Sequence, residues 1–177
     1  VTKLAEMMQK SKGTTFLTGA GISTASGIPD YRSGANTVMP TGAGCWEKQA
    51  NIAQARKKGT LKNEPSSYAK LNRVMLSAIP SKCHMSLAKL VEENKVKDII
   101  SQNLDGLHLK SGVPAEKLHE VHGNTNLEKC TVCQKTYLRD IKVAKKGKGH
   151  ETGRFCEDSK CNGALADKTI NFGESLN

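Results

Sequence analysis

Three times in this chain a short β-rich run ends directly in a cluster of glycine or polar residues. Thr14–Thr18 runs into Gly19-Ala20-Gly21, Val96–Ser101 into Gln102-Asn103-Leu104-Asp105, and Lys117–Val121 into His122-Gly123-Asn124. Helical patterns lie around and between them. Val1, Leu4, Ala5 and Met8 recur at helical spacing over residues 1–12. Trp46–Lys58 reads as a helix with a basic end (Arg56, Lys57, Lys58) that Gly59 stops. Pro65 opens another pattern, with Tyr68, Leu71, Val74 and Met75 on one face, and Pro80 ends it. Ser81 is placed to cap a further helix that carries Leu87, Leu90 and Val91. A last strand is expected over Lys168–Phe172. Residues 33–44 hold four Gly or Pro and read as a loop. Strands alternating with helices predict an α/β fold with a mostly parallel sheet. Ligands in such sheets bind beyond the carboxyl ends of the strands, where all three polar clusters fall. Residues 126–165 break the pattern. They are short of apolar periodicity, rich in Cys, Lys and Gly, and read as an insertion.

Each cluster has a chemistry and a plainer alternative. Glycines after a strand let the backbone approach a pyrophosphate, and free N–H groups at a helix start attract it. The strict dinucleotide fingerprint fails here, because Thr24 stands at its third glycine position, and an ordinary tight turn explains Gly19-Ala20-Gly21 equally well. In Pro29-Asp30-Tyr31-Arg32, Arg32 suits a phosphate and Asp30 a ribose or amide group, though a surface turn needs no ligand. Gln102, Asn103 and Asp105 offer amides and a carboxylate that can read hydroxyls and a carboxamide, or simply make an Asx-turn. His122 lies just past a strand, where an imidazole can take a proton from a hydroxyl. His108 is its main rival, while His84, His119 and His150 fall on a helix, in a strand and in a lysine-rich loop.

Cys130-x-x-Cys133, 22 residues, then Cys156-x4-Cys161 is the strongest single signal. Paired thiolates at such spacing complete a tetrahedral zinc site, and four protein ligands leave no open position, so the metal is expected to be structural. Thiol redox chemistry is the rival for the first pair. Cys45 and Cys83 read as plain small side chains. No signal peptide is visible, so the even cysteine count is not read as a disulfide framework, and a reducing, intracellular setting fits. No apolar run approaches the roughly 20 residues of a membrane span. The net charge of +10 suits an acidic partner such as nucleic acid, or a solvated lysine surface whose densest part (Lys142, Lys145, Lys146, Lys148) reads as a mobile loop.

Taken together and in order, Gly19-Ala20-Gly21-Ile22-Ser23, Pro29-Asp30-Tyr31-Arg32, Gln102-Asn103-Leu104-Asp105-Gly106-Leu107-His108, His122-Gly123-Asn124 and the four spaced cysteines resemble the sirtuin family over nearly the whole chain. His122-Gly123-Asn124 and Phe172-Gly173-Glu174 resemble most the branch of the nuclear sixth and seventh mammalian members. Ser33-Gly34 and the long 33–64 stretch depart from that branch. The resemblance implies an incomplete Rossmann-like parallel sheet with a small zinc-binding insertion domain. Residues 1–45, 81–125 and 166–177 would form the NAD-binding part, 46–80 a helical insertion and 126–165 the zinc module. Gly19, Ala20, Gly21, Ser23, Asp30, Tyr31 and Arg32 would face NAD. Gln102, Asn103 and Asp105 would line its ribose and nicotinamide pocket, and His122 would be the general base. Cys130, Cys133, Cys156 and Cys161 would hold one zinc ion, and Phe172, Gly173 and Glu174 would begin the segment that pairs with a substrate peptide.

The implied activity is NAD-dependent deacetylation of lysine in proteins, histones among the candidate partners, with the acyl group passing to ADP-ribose and nicotinamide released. The alternatives are mono-ADP-ribosylation from the same NAD site, and a zinc-containing module that binds chromatin or nucleic acid. No membrane partner is expected, and the nucleus is favoured over the cytoplasm. Val1 and Asn177 look like the ends of a fragment, and family members continue past the Phe-Gly-Glu segment with further strands. The chain alone is therefore expected to bind NAD poorly and to be inactive or nearly so.

Overall fold

The computed structural model describes residues 1–60, 73–143, 149–171 and 173–176. β1 (Thr15–Thr18), β2 (Asp98–Ser101) and β3 (Leu118–Glu120) form a parallel sheet in that order. Thr18 pairs with Ser101 and Ser101 with Glu120, so the three strands end level. The Gln102 N–H donates to the Thr18 carbonyl and the Val121 N–H to that of Ser101, each at 3.0 Å, which carries the alignment one residue into the polar clusters. This is the expected α/β arrangement with a parallel sheet.

The helix Lys82–Glu92 covers this sheet because its apolar positions fall on one side. Leu87 and Val91 join Val96, Ile99, Val113 and Leu118 in the core, with Leu90 packed at its edge. Ser81 caps the helix as expected and closes a capping box with His84. The Ser81 hydroxyl also donates to the Ile22 carbonyl at 3.0 Å, tying this helix to the 3-10 helix Ala20–Ser26. The expected N-terminal helix forms over Thr2–Lys10 and the basic-ended one over Cys45–Lys57. Residues 73–77 are helical, and Val74 and Met75 pack on Ile28, Ala78 and Leu107. The rest of the pattern opened by Pro65, including Tyr68 and Leu71, lies outside the described residues, as do Lys145, Lys146 and Lys148.

A second sheet occupies the stretch read as an insertion without periodicity. β4 (Leu127–Cys130), β5 (Thr136–Leu138), β6 (Glu151–Phe155) and β7 (Ala164–Asp167) pair antiparallel in the order β5-β4-β7-β6. The strand expected over Lys168–Phe172 does not form across 168–171, and β7 ends before it. Asp167 is the reason. Its carboxylate accepts the Thr169 N–H at 2.9 Å and hydroxyl at 2.5 Å, and this turn sends the Ile170 N–H to the His122 carbonyl at 2.9 Å instead of a strand partner. Among the described residues, no helix is long and apolar enough to cross a membrane.

Two imidazoles are sealed between the Lys82–Glu92 helix and the short helix Leu107–Lys110. His84 and His108 are both buried, with ring centroids 4.8 Å apart. Burial pushes His108 down from 6.5 to about 4, and neighbouring His84 adds to the shift; burial lowers His84 as well. The folded state keeps His108 neutral where the unfolded chain takes up a proton, so stability is lost as pH falls from about 6.5 towards 4. Denaturant midpoints across that window should drop steeply, and a His108→Asn variant should show a shallower drop. Parallel pH slopes in the two proteins would refute the assignment.

Candidate active site and metal centre

The level strand ends bring most of the expected polar residues into one network. The Ser23 hydroxyl, buried in the 3-10 helix, donates to Asp105 Oδ2 at 2.6 Å. Asn103 Nδ2 donates to Ser23 Oγ at 3.1 Å and to the Gly19 carbonyl at 3.0 Å. Asp105 Oδ1 takes the Leu107 N–H at 2.9 Å, which shapes the turn at Gly106. Gln102 remains exposed, and its Oε1 would stand 3.5 Å from a Cβ at Gly19. Gly19, Ser23, Gln102, Asn103 and Asp105 are thus assembled by contacts between the ends of β1 and β2.

His122 joins them from the end of β3. Its Nδ1 lies 2.8 Å from the Gln102 carbonyl oxygen. A carbonyl only accepts, so Nδ1 carries the hydrogen and the neutral ring keeps its free lone pair on Nε2. The ring is partly exposed, which leaves it open to a ligand. His108 differs in each respect: it is buried, its Nε2 lies 2.9 Å from Thr18 Oγ1, and burial suppresses its charge. The geometry therefore favours His122 over His108 as a proton acceptor.

Pro29–Arg32 is anchored to the start of the Cys45–Lys57 helix. The Cys45 N–H donates to the Asp30 carbonyl at 2.8 Å and the Trp46 N–H to that of Tyr31 at 3.1 Å. The Arg32 guanidinium lies 5.4 Å from the centre of the Trp46 ring, and the Tyr31 ring stands 5.9 Å from it. Hydrogen bonds from the Ser33 hydroxyl and amide hold the Asp30 carboxyl below its ordinary range. Sequence alone marks Trp46 only as the start of a helix, and its contact with Arg32 has no signature in sequence spacing. At the other end of the chain, Glu174 bonds to His150 Nε2 at 3.1 Å and to the Asn171 N–H at 2.7 Å, and Gly173 has a φ of 90°. Phe172 lies outside the described residues.

The four spaced cysteines converge. Cys130, Cys133, Cys156 and Cys161 place their Sγ atoms within 4.8 Å of one another, with Cys130–Cys161 and Cys133–Cys156 each at 3.6 Å. A tetrahedron with Zn–S bonds of about 2.3 Å has S···S edges of about 3.8 Å, so the cluster fits one zinc ion with no open ligand position. All six cysteines are free of disulfides. Around the cluster, the Tyr137 hydroxyl lies 3.0 Å from Cys156 Sγ. Metal analysis should find one zinc per chain. Stripping it with a chelator should abolish hydrogen-exchange protection in β4–β7 while β1–β3 keep theirs. Protection of β4–β7 that survives complete metal removal would contradict a structural zinc.

Two side chains that the sequence left without a role stand beside His122. Glu120, at the end of β3, accepts from Asn124 Nδ2, and Asn124 is fully buried. The available signal was an acid two residues before the histidine and an amide two residues after it.

The Sir2 family profile matches residues 19–177 of the chain. The NAD-dependent protein deacetylase SRT1 of Arabidopsis thaliana is 39% identical over 176 residues, covering 99% of this chain and 33% of its own. The human NAD-dependent protein deacetylase sirtuin-7 is 38% identical over 178 residues, covering 98% of this chain and 38% of its own. The chain thus spans about a third of the length of these relatives. Among solved structures, a Sir2 complex with a p53 peptide and NAD+ is similar at a TM-score of 0.57 and 28% identity, over 99% of this chain and 65% of that one. A Sir2 complex with the inhibitor EX-527, 2'-O-acetyl-ADP-ribose and a deacetylated p53 peptide is similar at a TM-score of 0.56 and 29% identity, over 100% and 66%.

Proposed function

This chain belongs to the Sir2 family, and from that premise we propose that it carries the catalytic residues of an NAD-dependent protein-lysine deacetylase. The observation that carries the reading is the His122 Nδ1 contact with the Gln102 carbonyl, which leaves Nε2 as a base at the level strand ends. In this reading Gly19, Ala20, Gly21 and Ser23 accept the pyrophosphate side of NAD, with Asp30, Tyr31 and Arg32 closing over it. Gln102, Asn103 and Asp105 hold the ribose and nicotinamide. Asp105 is already engaged by Ser23 and the Leu107 N–H, so it acts through a fixed carboxylate and not a mobile one.

The acyl oxygen of a modified lysine attacks the ribose carbon as nicotinamide leaves. His122 Nε2 then takes a proton from a ribose hydroxyl, the acyl group moves to the sugar, and water completes release of the amine. The substrate peptide is assigned to the segment that begins at Phe172, Gly173 and Glu174, as the family resemblance implies. The zinc keeps the second sheet folded and takes no part in the chemistry. Acetylated chromatin proteins, histones included, and a nuclear setting remain part of this reading; the net charge of +10 suits nucleic acid nearby and not the basic histones themselves.

The test is a mass-spectrometric product assay on the full-length protein with NAD and an acetyl-lysine histone peptide, beside His122→Ala. O-acetyl-ADP-ribose should form with the intact protein and fall by about 100-fold or more in the variant, the range expected for loss of a general base. ADP-ribose attached to protein without acyl loss would replace this reading with transferase activity, and no NAD consumption would overturn both.

A further inference from the structure

His122-Gly123-Asn124 contributes one residue, His122, to the chemistry above, yet Asn124 is the more deeply buried of its two polar side chains. All of its hydrogen-bonding groups are engaged. Nδ2 donates to both carboxylate oxygens of Glu120, at 3.0 and 3.2 Å, and Oδ1 accepts the Asn126 N–H at 2.9 Å. Glu120 and Asn124 flank His122 by two residues on each side, so their contact bridges the backbone turn that carries it. Glu120 is itself fixed by its pairing with Ser101 in the parallel sheet.

The same amide reaches across to the other turn of the site. A Cβ on Gly106 would stand 3.2 Å from Asn124 Nδ2, and Gly106 has a φ of 69° that favours glycine. The Asn124 amide therefore seats directly on the Gln102–Gly106 turn. Next door, the Leu104 carbonyl receives the Thr125 N–H at 3.0 Å and its hydroxyl at 2.9 Å. The turn bearing His122 is itself backed by Lys168, whose carbonyl would lie 1.5 Å from a Cβ at Gly123, where φ is 80°. The Glu120 carboxylate is only half-buried, but partial burial still raises it from 4.5 to about 7, against the pull of its Asn124 bonds and with a small push from the Asp105 charge.

We infer that Glu120 and Asn124 are positioning residues that clamp the turn bearing His122 to the turn bearing Gln102, and so set the His122 ring with Nδ1 on the Gln102 carbonyl. Neither touches a reacting atom. The inference takes its catalytic meaning from the proposed deacetylase, but the clamp itself is read by a signal that needs no turnover. Long-range nitrogen–proton NMR of the His122 imidazole reports which ring nitrogen holds the hydrogen.

The experiment compares wild type, Asn124→Ala, Glu120→Ala and Glu120→Gln, with melting curves as a control for folding. Wild type should show a pure Nδ1–H tautomer for neutral His122. Asn124→Ala should show a mixture, with kcat down about 10- to 100-fold, the scale expected for a misplaced reacting group, and KM values for NAD and peptide little changed. Glu120→Gln keeps an acceptor for Asn124 and should recover the tautomer and most of the kcat lost in Glu120→Ala. An unchanged tautomer in a folded Asn124→Ala protein would overturn the clamp, as would losses that follow the melting temperature in every variant. A tautomer shift in a wild-type background that deacetylates nothing would uphold the clamp and overturn the deacetylase reading alone.

Discussion

The parallel register of β1, β2 and β3 is the constraint on which the site depends. Thr18, Ser101 and Glu120 stand in one row, so the three chains leave the sheet at the same height. Gly19, Gln102 and His122 then meet by ladder geometry. A shift of one residue in β3 would turn every side chain of that strand to the other face, and His122 would lose the Gln102 carbonyl. The register is held from below by an aliphatic core in which Ile99 of β2 is fully buried under Leu87 and Val91 of the covering helix. Packing energy in the core is thereby converted into positional precision at the polar rim.

The second sheet is organised on a different principle. Its inward positions include Glu128, Cys130, Tyr137 and Asp167 beside Leu165. The Glu128 side chain is fully buried and bonded by Arg139 Nε at 2.8 Å and Arg154 Nε at 2.6 Å. Burial alone would raise this carboxyl, but the bonds from Arg154, Thr152 and Arg139 hold it below its ordinary value. With a polar interior and little aliphatic burial, the sheet relies on the cysteine cluster to close it, as small modules of this kind generally do. It meets the first sheet's site through Thr169 and Ile170, where the turn set by Asp167 delivers a backbone N–H to the His122 carbonyl.

Much of this was legible in the sequence. The helix cap at Ser81, the first two β-rich runs ending at Thr18 and Ser101, and the convergence of the four spaced cysteines follow from local chemistry that tertiary contacts do not override. The second sheet was not legible because strand periodicity is sought in aliphatic residues, and its buried face alternates a glutamate, cysteines and a tyrosine. The misplaced last strand has a similar origin: Thr169, Ile170 and Phe172 have high strand propensity, but Asp167 captures the backbone first. His108 and His122 looked alike as candidates. Only burial and the identity of each ring's partner, a threonine hydroxyl in one case and a main-chain carbonyl in the other, separate them. Glu120 and Asn124 stand two residues either side of the histidine in sequence, but their contact across the turn depends on a fold that spacing alone does not specify.

The level ends of three parallel strands form the proposed nicotinamide dinucleotide site. Its most direct test is an NMR titration of the isotope-labelled protein with NAD, carried to high enough concentration to reveal weak binding. Shifts should appear at Gly19–Ser23, at Gln102–Asp105 and on the His122 ring, with the amides of Cys130–Cys161 unmoved. Saturable shifts centred on the cysteine-bearing sheet, with the strand ends silent, would contradict it.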